Sequence, residues 1–347
     1  MDTNTLKCPG CGSGLPFDSA IGRWRCASCG SVYTDEQVLK LTADSDSDIK
    51  DQETPLNVYH CNNCGAEVLA DENTSATSCA FCKSPVVLKG RLEGEFRPSK
   101  IIPFSHTRAQ ATEQSRTVLR TERLVPSSFT EQQCLESIDP IYIPFWLYSG
   151  RVDGAIAGTY QTSHSHYSGN YKVTETTTWH ADIAGAASFT RVPADGSKKF
   201  DDAMMDSVEP FNYAEMVPFN YAYLSGFVAE RYDQTADEMR QRASQRMESA
   251  LSSMLSAEAG HTLSITARQS SGKFDEPEYV LLPVWILKCT FQNKDYYYAM
   301  NGQTGKMVGD TPVDNKKVRA CMLKWMIGII AAAELFWFLR FILGGGL

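Results

Sequence analysis

Two four-cysteine clusters of identical spacing, an aromatic-rich middle bounded by prolines, and a nineteen-residue apolar run near the C-terminus predict a multidomain chain. The expected architecture is two small β zinc ribbons, an α+β globular domain and one C-terminal transmembrane helix. The length of 347 residues exceeds one typical domain, and an apolar fraction of 43% suffices for a folded core. A formal charge of −8 opposes holding polyanions by general electrostatics.

The first cluster is Cys8, Cys11, Cys26 and Cys29, and the second is Cys61, Cys64, Cys79 and Cys82. Both read C-x2-C-x14-C-x2-C, and the second follows the first by 53 residues, the mark of a tandem duplication. Eight of the eleven cysteines fall in these pairs, which points to metal and a reducing compartment instead of a secreted disulfide framework. Four thiolates match the tetrahedral preference of Zn(II) and leave no open position, so two structural zinc ions per chain are expected. An iron–sulfur site or redox-active thiols would use the same residues. Gly12, Gly30 and Gly65 follow three of the pairs and suit tight knuckles, whereas Lys83 follows the fourth. Each ribbon is too small for much of a core, so metal should drive its folding.

The first ribbon is expected over 1–41, an acidic linker over 42–56 and the second ribbon over 57–92, with the two ribbons free to move relative to each other. Residues 1–90 hold seven Lys and Arg against twelve Asp and Glu, which disfavours phosphate neutralisation. Trp24, between Arg23 and Arg25, could stack a base, but packing against the ribbon's own sheet explains it better.

The α+β domain is expected over 93–313. Thr235 to Glu238 is a capping box, followed by Met239, Ala243, Met247, Ala250, Leu251 and Met254 at helical spacing, with Gly260 past the stop. Thr107 to Leu124 is a second helix with a thinner apolar stripe. Tyr171–Ile183 reads as a strand, and Tyr279–Phe291 with Lys294–Val308 as a hairpin followed by a turn at Asn301-Gly302. Ile143-Pro144-Phe145-Trp146-Leu147 is echoed in Leu282-Pro283-Val284-Trp285-Ile286, each after a helix candidate. That suggests a repeated helix-plus-sheet unit, which five residues do not establish.

His164, His166 and His180 with Asp182 could converge on a second metal, though polar positions on a Thr-rich sheet account for them as well. Gly302 to Lys306 lacks the full phosphate-loop pattern and reads as a turn. No G-x-S-x-G occurs, and Cys134, Cys289 and Cys321 have no identifiable partner base, so no enzyme is expected.

Trp325–Leu343 is close to the roughly 20 residues a helix needs to cross a bilayer. Lys316, Lys317, Arg319 and Lys324 precede it within a basic juxtamembrane segment, 314–324. The positive-inside rule then leaves the N-terminal domains in the cytoplasm of a single-pass cell-membrane protein. Met1-Asp2-Thr3-Asn4 begins no signal peptide, in agreement. Glu334, mid-span, is either protonated in lipid or a polar contact to another transmembrane helix, and the contact is favoured.

The ribbon pairs, the two Pro-aromatic segments, Glu209-Pro210-Phe211, Leu224-Ser225-Gly226-Phe227, Ala229-Glu230-Arg231-Tyr232, Asn301 to Lys306 and the terminal span together carry a family resemblance. Over nearly its whole length the chain resembles bacterial membrane-anchored zinc-ribbon proteins of the YdjG-like group, often labelled TFIIB-type or helicase-like. No helicase or polymerase module accompanies that label here. The resemblance implies a role beside phage-shock-type and SPFH-type membrane proteins, in envelope stress or membrane-protein assembly. The expected function is a membrane-anchored zinc-binding scaffold that recruits cytosolic or membrane proteins, with nucleic-acid binding through the ribbons as the alternative.

Overall fold

The computed structural model describes residues 6–43, 57–60, 67–70, 74–78, 85–87, 94–122, 124–130 and 138–343. Cys61, Cys64, Cys79 and Cys82, and residues 44–56 of the expected linker, lie outside them. The chain opens with a three-stranded sheet, β1 (Phe17–Asp18), β2 (Arg23–Arg25) and β3 (Val32–Tyr33), and helix α1 (Asp35–Ala43). β4 (Asn57–His60) pairs with β5 (Glu67–Ala70), and β6 (Thr74–Ser78) with β7 (Pro85–Val87). Next come β8 (Lys100–Ile101), α2 (Arg108–Thr121), α3 (Ser127–Thr130), β9 (Ile138–Ser168), β10 (Tyr171–Asp195), α4 (Asp202–Val208) and β11 (Val217–Pro218). β12 (Val228–Glu230), α5 (Ala236–Glu258), β13 (Ser264–Phe274), β14 (Glu278–Phe291), β15 (Lys294–Asn301), β16 (Met307–Gly309) and α6 (Asn315–Leu343) complete it. The α+β class expected for the body is what forms.

Its centre is the antiparallel pairing of β9 with β14, which sets the two echoed segments side by side: Ile143 pairs with Leu282, Tyr142 with Pro283 and Pro144 with Leu281. Around that pair the two halves correspond in register. β8 lies parallel to β14 through Ile101 and Leu281, and β12 parallel to β9 through Ala229 and Tyr142. Each half therefore lends its first strand to the other half's long strand. Both first strands lead into a helix with a capping box, Thr107 with Gln110 and Thr235 with Glu238. Ala111, Ser115 and Leu119 of α2 are buried at the positions where α5 buries Met239, Ala243 and Met247.

The correspondence extends to the turns that follow the hairpins. Asp195 opposite Phe145, and Asn301 opposite Val284, are both fully buried. Gly196 N donates to Pro144 O and Gly302 N to Pro283 O, both at 2.8 Å. Gly196 O accepts from Asp233 N at 2.9 Å, and Gly302 O from Ser105 N at 3.0 Å. From the helices, Arg242 reaches Asp195 at 2.6 Å and Gln114 reaches Gly305 O at 2.9 Å. Only glycine fits at 302, because a Cβ there would lie 2.6 Å from the Phe104 ring.

The halves differ in the length of their hairpins. β9 and β10 run on as an arm whose base is covered by β13 and by Leu251 and Leu255 of α5, which pack with Val152 and Ile156. From Gln161 to His180 both faces are exposed. His164 lies opposite Glu175 and shares its face with His166, whereas His180 pairs with Thr159 and Asp182 with Ala157 on the other face. Strand alternation thus sets His164 and His166 on one face and His180 and Asp182 on the other, so the four do not converge on one metal. Gly302 to Lys306 is a turn joining β15 to β16, closed by Asn301 N to Lys306 O.

The expected basic segment and span form one continuous helix, α6. Its Asn315–Phe338 stretch is long and apolar enough to cross a membrane by length and composition, and none of it is buried.

Gly302→Ala should destabilise the protein by about 1–3 kcal/mol through overpacking against Phe104, measured as a lower urea midpoint. Burial pushes the Asp195 carboxyl up to about 6, against the pull of Arg242. A carboxyl whose folded pKa exceeds its unfolded value of about 3.9 stabilises the fold while protonated, and that contribution is lost as pH rises through the interval. Asp195→Asn should flatten the resulting fall in stability between about pH 4 and the value near 6, read from midpoints across that range.

Candidate metal centre and its seat

The first cysteine cluster is built by two knuckles of the same design. Gly12 N returns to Cys8 O at 2.8 Å and Gly30 N to Cys26 O at 2.9 Å, while Cys8 N reaches Ser13 O at 2.7 Å and Cys26 N reaches Ser31 O at 2.9 Å. Gly12 and Gly30 have φ of 74° and 75°, left-handed conformations that a side chain would strain. The result is a group of four thiols, Cys8, Cys11, Cys26 and Cys29, whose sulfurs all lie within 4.8 Å of one another.

Two of the sulfur separations are 3.6 Å for Cys8 to Cys29 and 3.5 Å for Cys11 to Cys26. Four thiolates at about 2.3 Å from a tetrahedral ion stand about 3.8 Å apart, so the donor set fits such an ion. Cys8 and Cys26 are buried, and Cys11 and Cys29 face solvent. The Tyr33 hydroxyl, 3.4 Å from Cys8 Sγ, lowers that thiol to about 6. Ser31, 3.2 Å from Cys29 Sγ, lowers Cys29 as well. Both shifts favour the thiolates a metal needs, whereas, against a hydrogen bond from the Cys29 backbone, burial and the neighbouring Cys11 and Cys29 thiols push Cys26 up to about 11. Sequence reading did not single out Tyr33 or Ser31, which carry no spacing signal of their own.

The unit holding this group is seated on the body. Trp24, 1% exposed, packs edge-on to Phe17 at 5.0 Å and against Tyr223 at 5.1 Å, and its Nε1 donates to Ala222 O at 3.0 Å. Phe17 N donates to Ser225 O, Ser225 Oγ to Leu15 O, and Tyr223 OH to Asp35. Trp24 therefore packs on its own sheet, as expected, and on the body too, which removes it as a stacking platform. The Leu224 to Phe227 segment is the seat. On another edge, β6 pairs with β12 through Ala76 and Ala229. The expectation of mutually mobile ribbons thus meets two attachments to one body.

Ser19 Oγ donates to His106 O at 3.0 Å. In the other half the corresponding carbonyl, Gln234 O, accepts from Trp146 Nε1 at 2.9 Å. Trp285, which corresponds to Trp146, has no hydrogen-bond partner for its Nε1 among the described residues.

A cavity of about 290 Å³ between β10, α4 and α5 is lined by Arg191, Glu209, Tyr213 and Arg246. Its carboxylate, Glu209, is held bidentately by Arg246 at 2.9 and 3.0 Å, and nothing there indicates enzymatic activity. Cys289 is buried and disulfide-bonded, which the expectation of a reducing compartment does not accommodate.

The sequence is 34% identical over 330 residues to the uncharacterized protein YdjG of Bacillus subtilis (strain 168), covering 94% of each chain. The chain belongs to the YdjG family. No family model matches it, and no solved structure does. For this YdjG-family chain, a four-thiol centre and an apolar terminal helix are the two features with chemistry to exploit.

Metal removal should release the seat. With a chelator present, backbone amides of residues 15–25 and 221–227 should exchange faster while those of 278–287 hold, measured by hydrogen-exchange mass spectrometry. Trp24→Ala should cost about 3–5 kcal/mol, seen as a lower urea midpoint for the metal-loaded protein.

Proposed function

We propose that this protein is a membrane-anchored zinc-binding scaffold that recruits protein partners to a bilayer. The observation that carries the reading is α6, an apolar helix fixed to a folded body and wholly unburied, which in water would expose Trp325, Ile329, Ile330, Phe336 and Trp337. A membrane is the solvent that resolves that exposure. Zinc is the ion we assign to Cys8, Cys11, Cys26 and Cys29, and a second zinc to Cys61, Cys64, Cys79 and Cys82, in TFIIB-type ribbons. Both centres are closed by four protein ligands and so serve structure.

The cations at the start of α6 favour a cytoplasmic body, while the Cys289 disulfide pulls the other way. Glu334 in the span offers a polar contact to a second transmembrane helix. The partners we assign are phage-shock-type or SPFH-type membrane proteins acting in envelope stress, on the strength of the family resemblance. Nucleic-acid binding has no observation in its favour, since the N-terminal unit is acidic and Trp24 is covered.

Affinity capture from detergent-solubilised membranes should recover membrane proteins of these classes, with recovery reduced for Glu334→Leu. A monodisperse protein with no partners would overturn the reading. Elemental analysis should return about two zinc per chain, and iron or no metal would remove the assignment.

A further inference from the structure

We infer that the corner between α2 and α3 lies against the bilayer surface and that the basic first turns of α6 bind anionic phospholipid headgroups there. The inference rests on α6 spanning the membrane. Helix α6 does not leave the body on a free tether. Asp314 N donates to Leu124 O at 2.8 Å and Lys317 Nζ to Val125 O at 2.6 Å, so the helix starts pinned to the chain that links α2 to α3. The Asp314 carboxylate also caps the helix, accepting from Lys316 N at 2.8 Å and Lys317 N at 3.3 Å. The body and the start of the helix are therefore one unit.

Distances along the helix place the membrane plane. From Asn315 to Trp325 the axis advances about 15 Å, and each interfacial layer of a bilayer is about 5–8 Å thick. A span whose apolar run begins at Trp325 thus holds the corner within long-side-chain reach of the headgroups.

Charge selects the headgroup. Lys317 and Lys324 are seven residues apart, hence on one face of α6 and about 10 Å apart along it. Ala320 and Cys321 lie between them on that side, so small side chains leave room beneath the corner. Arg120, in the last turn of α2, and exposed Lys316 and Arg319 add three more cations. Glu122, Asp310 and Asp314 oppose them, and Asp314 is already committed to the helix cap. The balance is positive at the level where phosphates lie, and each such cation is expected to strengthen attachment to an anionic surface about 5-fold.

The test places the full chain in nanodiscs of phosphatidylcholine alone or of phosphatidylcholine with phosphatidylglycerol and follows hydrogen exchange. Amides of residues 121–128 and 314–324 should exchange several-fold more slowly in the anionic discs. Lys316→Gln with Lys324→Gln should abolish that difference, and the Lys→Arg pair should retain it. Equal exchange in both discs, with 326–343 protected in each, would overturn the inference while leaving the span intact. Protection that survives the Gln pair would overturn it too, because it would assign the contact to something other than headgroup charge. Unprotected 326–343 would instead defeat the membrane reading itself, and this inference with it.

Discussion

Everything in the body is organised around ten residue pairs between β9 and β14, from Ile138 opposite Leu287 to Leu147 opposite Glu278. These strands are buried on both faces near their middle, with Tyr142, Ile143, Phe145, Leu281, Leu282 and Val284 all shielded from solvent. A slip of one residue would turn each of these side chains to the opposite face. That constraint fixes where β8 and β12 add, since each short strand has only two residue pairs with which to find its register. Exchange of those strands ties the halves together, and unfolding one half must strip a strand from the other.

The same centre dictates the chemistry of the turns. Asp195 and Asn301 occupy corresponding buried positions, but the second is satisfied by neutral partners, whereas the first gives Oδ1 to a guanidinium and keeps Oδ2 buried without a partner among the described residues. Asn301 Nδ2 donates to Val208 O and Pro210 O, and its Oδ1 accepts from Gln303 N and Thr304 N. Asp195 Oδ1 takes Arg242, which also bonds Asp206, while Arg246 bridges Asp206 to Glu209. One half thus closes its turn with an amide network and the other with an ionic one. Desolvation makes the ionic version the costlier of the two.

How much of this the sequence disclosed depends on the physics behind each feature. Helix α5 is announced by a capping box and a long apolar stripe, and α6 by hydropathy over close to a full span. Helix α2 carries the same capping box, yet its buried side is Ala111, Ser115 and Leu119, too small to raise a stripe. The four thiols are legible from spacing alone because the knuckle geometry is local. One strand of the arm is legible as well, Tyr171–Ile183 from its Thr and aromatic content, whereas its partner over Gln161–Ser168 is exposed on both faces and has no alternation to read. The seat is not legible: Phe17 and Trp24 resemble the private core of a small unit until Tyr223 and Phe227 are brought across from more than half the chain away. Parallel strands of two or three residues, such as β8 and β12, leave no pattern at all.

The seat also explains why the two halves have parted company. In one of the two corresponding sites the Trp146 indole closes onto the opposite half's carbonyl. In the other, Ser19 occupies that carbonyl and Trp285 is left a buried donor without a described partner. Such a donor costs about 1–3 kcal/mol, whereas covering Phe17 and Trp24 contributes roughly 1.5–3 kcal/mol for each large side chain. Attachment wins, but by a margin of only a few kcal/mol, and only while the knuckles hold Leu15, Phe17 and Trp24 in one array. Four thiols would fill the coordination of a tetrahedral ion, so a metal held there would act by keeping that array assembled against the body.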